Sequence, residues 1–180
     1  QAWAAAVFSA AKGESASSPA TATSASLDLL FSSCQPPFSF VYGGTPSSDL
    51  LGKWTRTHEA RDLEDRVEHT AHWTDQTTGL RVTAVAQAYK RYPAVEWVLH
   101  FENQGKADSP ILENIQALDV RLNTAGKAAV LNRIAGEAFE PKSFQPLQAP
   151  VEVGKPIRLA PVGGRSSNGT LPFMNLQRPG

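Results

Sequence analysis

The sequence predicts an all-β fold, an antiparallel β-sandwich, and three observations carry that expectation. Between residues 80 and 122 apolar and polar positions alternate, most clearly where Val95, Trp97, Leu99 and Phe101 interleave with Glu96, Val98, His100 and Glu102. Successive side chains on an extended strand point to opposite faces, so this segment buries one face and turns a mostly polar one to water. Similar segments flank it at short intervals, separated by clusters of turn-forming residues, which is the spacing of a meander of consecutive antiparallel strands. From Pro141 onward, Pro146, Pro150, Pro156, Pro161 and Pro172 recur too often for a helix of useful length.

In chain order, residues 1–26 are an Ala/Ser-rich lead-in, expected to be weakly ordered because its Ser/Ala/Thr tract has little apolar surface to offset the entropy of ordering it. The same composition fits the tail of a secretory signal, a linker or the edge of a cloned fragment, and it tilts the expected location towards secreted or periplasmic rather than cytoplasmic. The β-sandwich is expected over residues 27–180. Residues 27–31 are a short apolar strand. Phe38, Phe40 and Tyr42 then alternate with Ser39 and Val41. Pro37 stands at the start of that strand, where its missing N–H costs least, and Gly43 and Gly44 end it. Residues 46–51 read as a turn or a single helical turn capped by serine.

Residues 54–61 alternate in an exposed manner, and residues 61–65 make a charged turn. Residues 67–74 place His69, Ala71 and Trp73 on one face and Glu68, Thr70 and His72 on the other. Residues 75–79 form a hairpin loop with its glycine late, as a left-handed closing position prefers. Residues 80–89 return, Tyr92 and Pro93 turn, and residues 94–103 follow. Residues 111–122 are expected as the fourth strand of this meander. Their alternation slips, since Leu118, Val120 and Leu122 are in phase with Leu112 while Ile111 and Ile115 are not. A bulge, or burial on both faces, explains that. Residues 127–139 suit a helix at Ala128, Ala129 and Leu131 and a strand at Val130 and Ile134; the surrounding sheet decides for a strand and loop. Residues 156–162 make one more strand and residues 163–172 an exposed loop. Phe173 opens a further strand that stops with the chain, which suggests a module cut from a larger protein.

Composition narrows the function. A chain of 180 residues, 41% hydrophobic and 19% charged, is ample for one well-filled domain. Its 17 basic and 17 acidic residues cancel, so no positive field exists to attract a phosphate backbone or an anionic lipid surface, and neither nucleic acid nor membrane is expected as a partner. The apolar run at residues 2–8 is far below the ~20 residues that span a bilayer. Cys34, the only cysteine, rules out an intramolecular disulfide and a Cys-rich zinc site, and reads as a buried bystander.

Residues that usually carry chemistry mostly read as structural here. His58, His69, His72 and His100 lack the spacing that sets two imidazoles on one metal, and read as ordinary surface residues. Glu59, Asp62, Glu64, Asp65 and Glu68 are interleaved with Arg56, Arg61 and Arg66. They form a solvated, self-paired face rather than the facing carboxylates of a glycosidase. Ser47-Ser48 and Ser166-Ser167 lack a nucleophile elbow and serve turns. Gly43-Gly44 and Gly163-Gly164 lack the pattern of a phosphate cradle. Asn168-Gly169-Thr170 fits a glycosylation sequon, whose content here is an exposed loop. Aromatic rings supply contact area in recognition sites and stack on sugar C–H faces. Trp54 beside the residue 43–51 loop is the candidate of that kind, with core packing as its alternative, whereas Trp73 and Trp97 fall in phase with the core. No catalytic residue, metal ligand or cofactor is expected.

A longer pattern runs through PFSFVYGG at 37–44, SSDLL at 47–51 with Trp54, YPAVEW at 92–97, FEN at 101–103, SPILENIQALD at 109–119, GRSSN at 164–168 and LPFMNL at 171–176. In this order the motifs resemble the start of the α-galactosidase-like glycoside hydrolases of family 36, the melibiases, from about residue 27 to the end; residues 127–150 depart most from the pattern. The resemblance implies an N-terminal β-supersandwich, similar in shape to galactose mutarotase, that precedes a (β/α)₈ barrel. The barrel would hold both catalytic aspartates, so no catalytic residue transfers to this chain. It further implies packing on that barrel, contacts in a homo-oligomer, and an α-galactoside substrate met through the parent enzyme. The implied rim or carbohydrate contacts are Asp49, Trp54, Arg165 and Asn168. The competing readings are a free-standing carbohydrate-binding module, which needs an exposed aromatic platform, and a mutarotase-like enzyme, which needs an acid and a base facing one sugar-sized cleft.

Overall fold

Period-two patterning becomes strand throughout the stretch between Ser39 and Asn103 where the sequence predicts it. The computed structural model describes residues 2–7, 36–92, 94–120, 128–137 and 140–177; the strand expected at residues 27–31, and Cys34, lie outside them. The elements are β1 (Ala2–Val7), β2 (Ser39–Tyr42), β3 (Thr45–Pro46), α1 (Ser47–Leu50), β4 (Thr55–Asp62), β5 (Arg66–Thr74), β6 (Leu80–Tyr89), β7 (Ala94–Asn103), β8 (Leu112–Gln116), β9 (Ala129–Ala135), β10 (Pro146–Val151) and β11 (Thr170–Gln177). All strand pairings are antiparallel among the described residues. The fold is all-β and sandwich-like, and the chain divides into two units, Gln1–Val120 and Arg121–Gly180.

In the first unit a five-stranded sheet of order β1-β7-β6-β5-β4 faces a three-stranded sheet of order β3-β2-β8. Strands β4 to β7 are the meander, joined by short turns. β1, within the stretch expected as a lead-in, pairs along β7 from Ala2↔Leu99 to Val7↔Ala94. The second half of the buried face of β6 is small, with Ala84, Ala86 and Ala88, where its neighbours present larger rings. Ala86 stands opposite both His69 of β5 and Trp97 of β7, so its methyl group leaves room for two rings. Close packing of this kind is what core density requires. Trp73 and Trp97 are both core, as their phase predicts.

Aromatic rings of β2 and of Phe38 just before it cover that face. Phe38 meets Trp73 edge-on at 5.4 Å and Phe40 meets Phe101 edge-on at 5.4 Å, the arrangement that brings a ring's positive edge to a negative face. Trp97 Nε1 donates to the Ala117 carbonyl at 2.7 Å, tying the two layers by a hydrogen bond as well as by burial.

The expected fourth meander strand is corrected in two ways. β8 is shorter than residues 111–122 and pairs with β2 in the opposite sheet, not with β7. Its slipped alternation has the predicted cause of a bulge: the register shifts between Ser39 and Val41, and Asn114 sits at φ 49°. Asparagine tolerates that left-handed backbone better than most residues.

The helical turn at α1 forms, but serine does not cap it. Pro46 occupies the capping position without a side-chain bond. The Ser47 hydroxyl instead accepts the Phe40 N–H at 3.2 Å inside the core, where an unsatisfied donor costs about 1–3 kcal/mol. His69 is also corrected. It is not a surface residue but lies 1% exposed on the inner face, its ring stacked on His58 at 5.6 Å.

In the second unit β9 lies between β10 and β11. The strand preference at residues 127–139 holds for β9. The strand expected at residues 156–162 does not form, and the strand that does form on that side is β10. Pro146 and Pro150 concealed it, yet both are tolerated because β10 is an edge and needs only some of its N–H groups for the ladder. The expected loop also ends early, since β11 begins at Thr170. An amide ladder crosses the sheet: Gln148 donates to Asn132 at 2.8 Å, and Asn132 donates to Asn175 at 3.5 Å. Gly136 follows β9 where a Cβ would come within 1.8 Å of the Ser167 carbonyl oxygen, so only glycine lets the 165–169 turn approach this closely.

Candidate functional site

The residue 43–54 loop closes one end of the first unit, and its construction follows from its sequence. Gly43 donates to the Ile111 carbonyl at 3.0 Å, β3 turns back on β2, and α1 follows. Ser47 and Leu51 are buried and anchor the helical turn, while Ser48 and Asp49 stand exposed, with the Ser48 hydroxyl donating to Asp49 Oδ1 at 3.1 Å. Trp54 closes the loop. Its ring lies 6.1 Å from Phe40 and edge-on to Tyr42 at 5.9 Å, so much of its area is engaged with the core. Tyr42 donates to the Thr78 hydroxyl at 2.8 Å, which in turn donates to Asp75 Oδ2 at 2.7 Å.

Asp75 organises the β5–β6 hairpin beside this loop. Burial acts to raise its pKa, but hydrogen bonds from the Thr78 hydroxyl and from the Thr77 and Thr78 amides outweigh that and hold the carboxyl below its ordinary value. Gly79 completes the hairpin at φ 84°, as its late position predicts.

Arg165 and Asn168 belong to the second unit. There the Asn168 amide donates to the Arg165 carbonyl at 3.4 Å and the Val162 amide donates to the Asn168 carbonyl at 3.2 Å, a compact turn with Arg165 exposed. The four residues implied as rim contacts therefore fall on two loops, one in each unit.

No family model, curated protein or solved structure matches this chain. Site chemistry therefore rests on the residues and their arrangement.

At the opposite end of the five-stranded sheet lies a feature that the sequence reading passes over. The register pairs Arg66 with Tyr89, so the β4–β5 and β6–β7 turns lie side by side. Lys90 N–H donates to the Asp65 carbonyl at 2.9 Å, Leu63 N–H donates to the Arg66 carbonyl at 2.9 Å, and the Lys90 ammonium pairs with Asp62 and donates to the Leu63 carbonyl. An open cleft of about 750 Å³ sits there, lined by Glu64, Asp65, Tyr89, Arg91, Tyr92 and Ala94. Arg66 grips both oxygens of Asp65 at 2.9 and 3.0 Å. Tyr89 donates to Glu96 Oε1 at 2.7 Å; that bond and burial raise the phenol pKa.

The self-pairing expected of the charge run is present at Arg61–Glu68 (3.8 Å) and Arg66–Asp65. What the linear reading lacks is that Glu64 and Asp65 share a cleft with two tyrosines about 25 positions later. The signal was available in the pairing register alone: a hairpin of β5 and β6 necessarily brings residues near 65 beside residues near 90. Among the described residues no three His, Cys, Asp or Glu side chains gather as metal ligands.

Proposed function

We propose that this chain is the accessory N-terminal β-sandwich domain of an α-galactosidase-like glycoside hydrolase. In this reading it supports the catalytic barrel and offers the residue 43–54 loop to the rim of the active site. One observation carries the proposal: Asp49 and Ser48 are held exposed at the tip of a loop whose two ends are pinned in the core by Ser47, Leu51 and Trp54. A carboxylate fixed in this way can accept hydrogen bonds from sugar hydroxyls without first losing loop entropy, which is how preorganisation gains affinity.

The motifs of the resemblance support it through where they fall. PFSFVYGG forms β2 and its turn, SSDLL forms α1 with its flank, YPAVEW opens β7, and LPFMNL lies within β11. Each sits on a scaffold strand or on a loop beside it, the division of labour expected of a supporting domain. Hydrolysis then belongs to the barrel, and this chain contributes positioning. Arg165 and Asn168 are proposed as rim contacts on the same ground of resemblance, and a homo-oligomer contact surface belongs to the same reading.

The test is hydrolysis of p-nitrophenyl α-D-galactoside by the natural full-length protein that contains this domain. Activity is expected, and Asp49→Ala should raise KM roughly tenfold, the loss of one charge-assisted hydrogen bond, with little change in kcat or Tm. A full-length protein inert towards α-galactosides overturns the reading.

A further inference from the structure

The cleft between the β4–β5 and β6–β7 turns lies away from the residue 43–54 loop. β4 begins at Thr55, next to Trp54, and ends at Asp62, next to the cleft; at ~3.4 Å per residue the two ends are separated by roughly 25 Å. Any role of the cleft is therefore distinct from that of the loop and does not rest on the reading above.

Its flanking turns are tied to each other through the backbone, and its chemistry is mixed. The turns are stitched by the Lys90–Asp65 and Leu63–Arg66 backbone bonds, and the Ala94 N–H closes on the Tyr92 carbonyl at 2.8 Å. Tyr92 is nonetheless 65% exposed, a large aromatic ring at the surface. Tyr89 is oriented by its bond to Glu96, so its hydroxyl oxygen remains as an acceptor.

The charges balance. Asp65 is matched by Arg66, Asp62 by Lys90, and Glu64 and Arg91 bring one charge of each sign. A free anion would meet Glu64 and Asp65, and a divalent cation would find no third ligand among the described residues. A neutral polyhydroxylated ring suits all of the walls together. Its hydroxyls donate to the carboxylates and accept from the guanidinium, and its C–H face lies on a phenol. A volume of about 750 Å³ is of the size that small-molecule sites use.

We propose that the Glu64, Asp65, Tyr89, Arg91 and Tyr92 cleft is a binding site for a neutral saccharide of one or two rings, with Tyr92 as the stacking platform and Arg91 and Glu64 as its hydrogen-bonding pair.

The test is calorimetric titration of the 180-residue chain with D-galactose, D-glucose, D-mannose, D-xylose, melibiose, maltose and cellobiose, and with sodium phosphate and calcium chloride as charged controls. Saturable binding of at least one sugar is expected, weakened tenfold or more by Tyr92→Ala and severalfold by Arg91→Met. Both side chains are exposed, so circular dichroism and Tm should match the parent, and Asp49→Ala should leave the affinity unchanged. The proposal is overturned if no sugar binds, if only phosphate or calcium binds, or if sugar binding survives both Tyr92→Ala and Arg91→Met.

Discussion

The five-stranded sheet of the first unit and the three-stranded sheet of the second are both antiparallel, but they draw on different sources of stability. On the inner face of the first, Trp73, Leu80, Val82, Ala84, Ala86, Trp97 and Leu99 are essentially inaccessible to water. In the second only Ala129 and Leu131 of the β9 hydrophobics are buried, while Ile134, Phe173 and Met174 remain exposed. Where a second layer of aromatic residues covers a sheet, burial supplies the dominant favourable term. Among the described residues of the second unit no such layer is present, and backbone ladders and the Gln148–Asn132–Asn175 amide ladder carry more of the load.

The largest effect that would sharpen this contrast is expected from Trp97→Ala. The substitution leaves a cavity opposite Ala86 and strands the Ala117 carbonyl, and should destabilise the protein by about 3–5 kcal/mol. Phe173→Ala, on the exposed part of β11, should stay within about 0.5 kcal/mol of the parent. Urea denaturation of the two variants checks both, and equal losses would break the comparison. A smaller effect is expected from Asn132→Ala. Removing the middle rung of the amide ladder should cost about 0.5–1.5 kcal/mol and speed amide hydrogen exchange in β9 while leaving β6 and β7 protected. Unchanged exchange in β9 would mean that the ladder is incidental.

The smallest effect concerns pH. The Asp75 carboxyl is held below the usual carboxylate range, so its ionised form is favoured by folding. Its stabilisation is present above the ordinary carboxylate range and lost as the pH falls through its lowered value. The stability gap between the parent and Asp75→Asn should therefore be widest near neutrality and narrow in acid, measured by denaturation midpoints across that range. A gap independent of pH would show that the carboxylate charge contributes nothing to the hairpin.

Much of the first unit was legible because strand periodicity is local. Along β5, β6 and β7 every second residue must face the core, and a slip of one residue would turn the whole apolar set to water. The shared face of Ala71 and Trp73 on β5 follows from that rule, although His69, in phase with them, was read as a surface residue; the glycine at position 79 follows from turn chemistry. The turn at residues 46–51 and the alternative of core packing for Trp54 were likewise readable, although the particular partners of its ring, Phe40 and Tyr42, were not. In the second unit periodicity was weaker. Proline at 146 and 150 argued against a strand that an edge position permits, and residues 156–162 had a strand-like composition but join no ladder.

Sequence by itself determined the strand class, the faces of β5 to β7 and the tryptophans that fill the core, because each depends on spacing within one segment. Tertiary structure alone decided what depends on residues far apart in the chain. It moved β8 to the β2 sheet and gave the Ser47 hydroxyl to Phe40 rather than to a helix end. These outcomes are set by which strand edges meet and which buried donors need partners, and no local pattern encodes either.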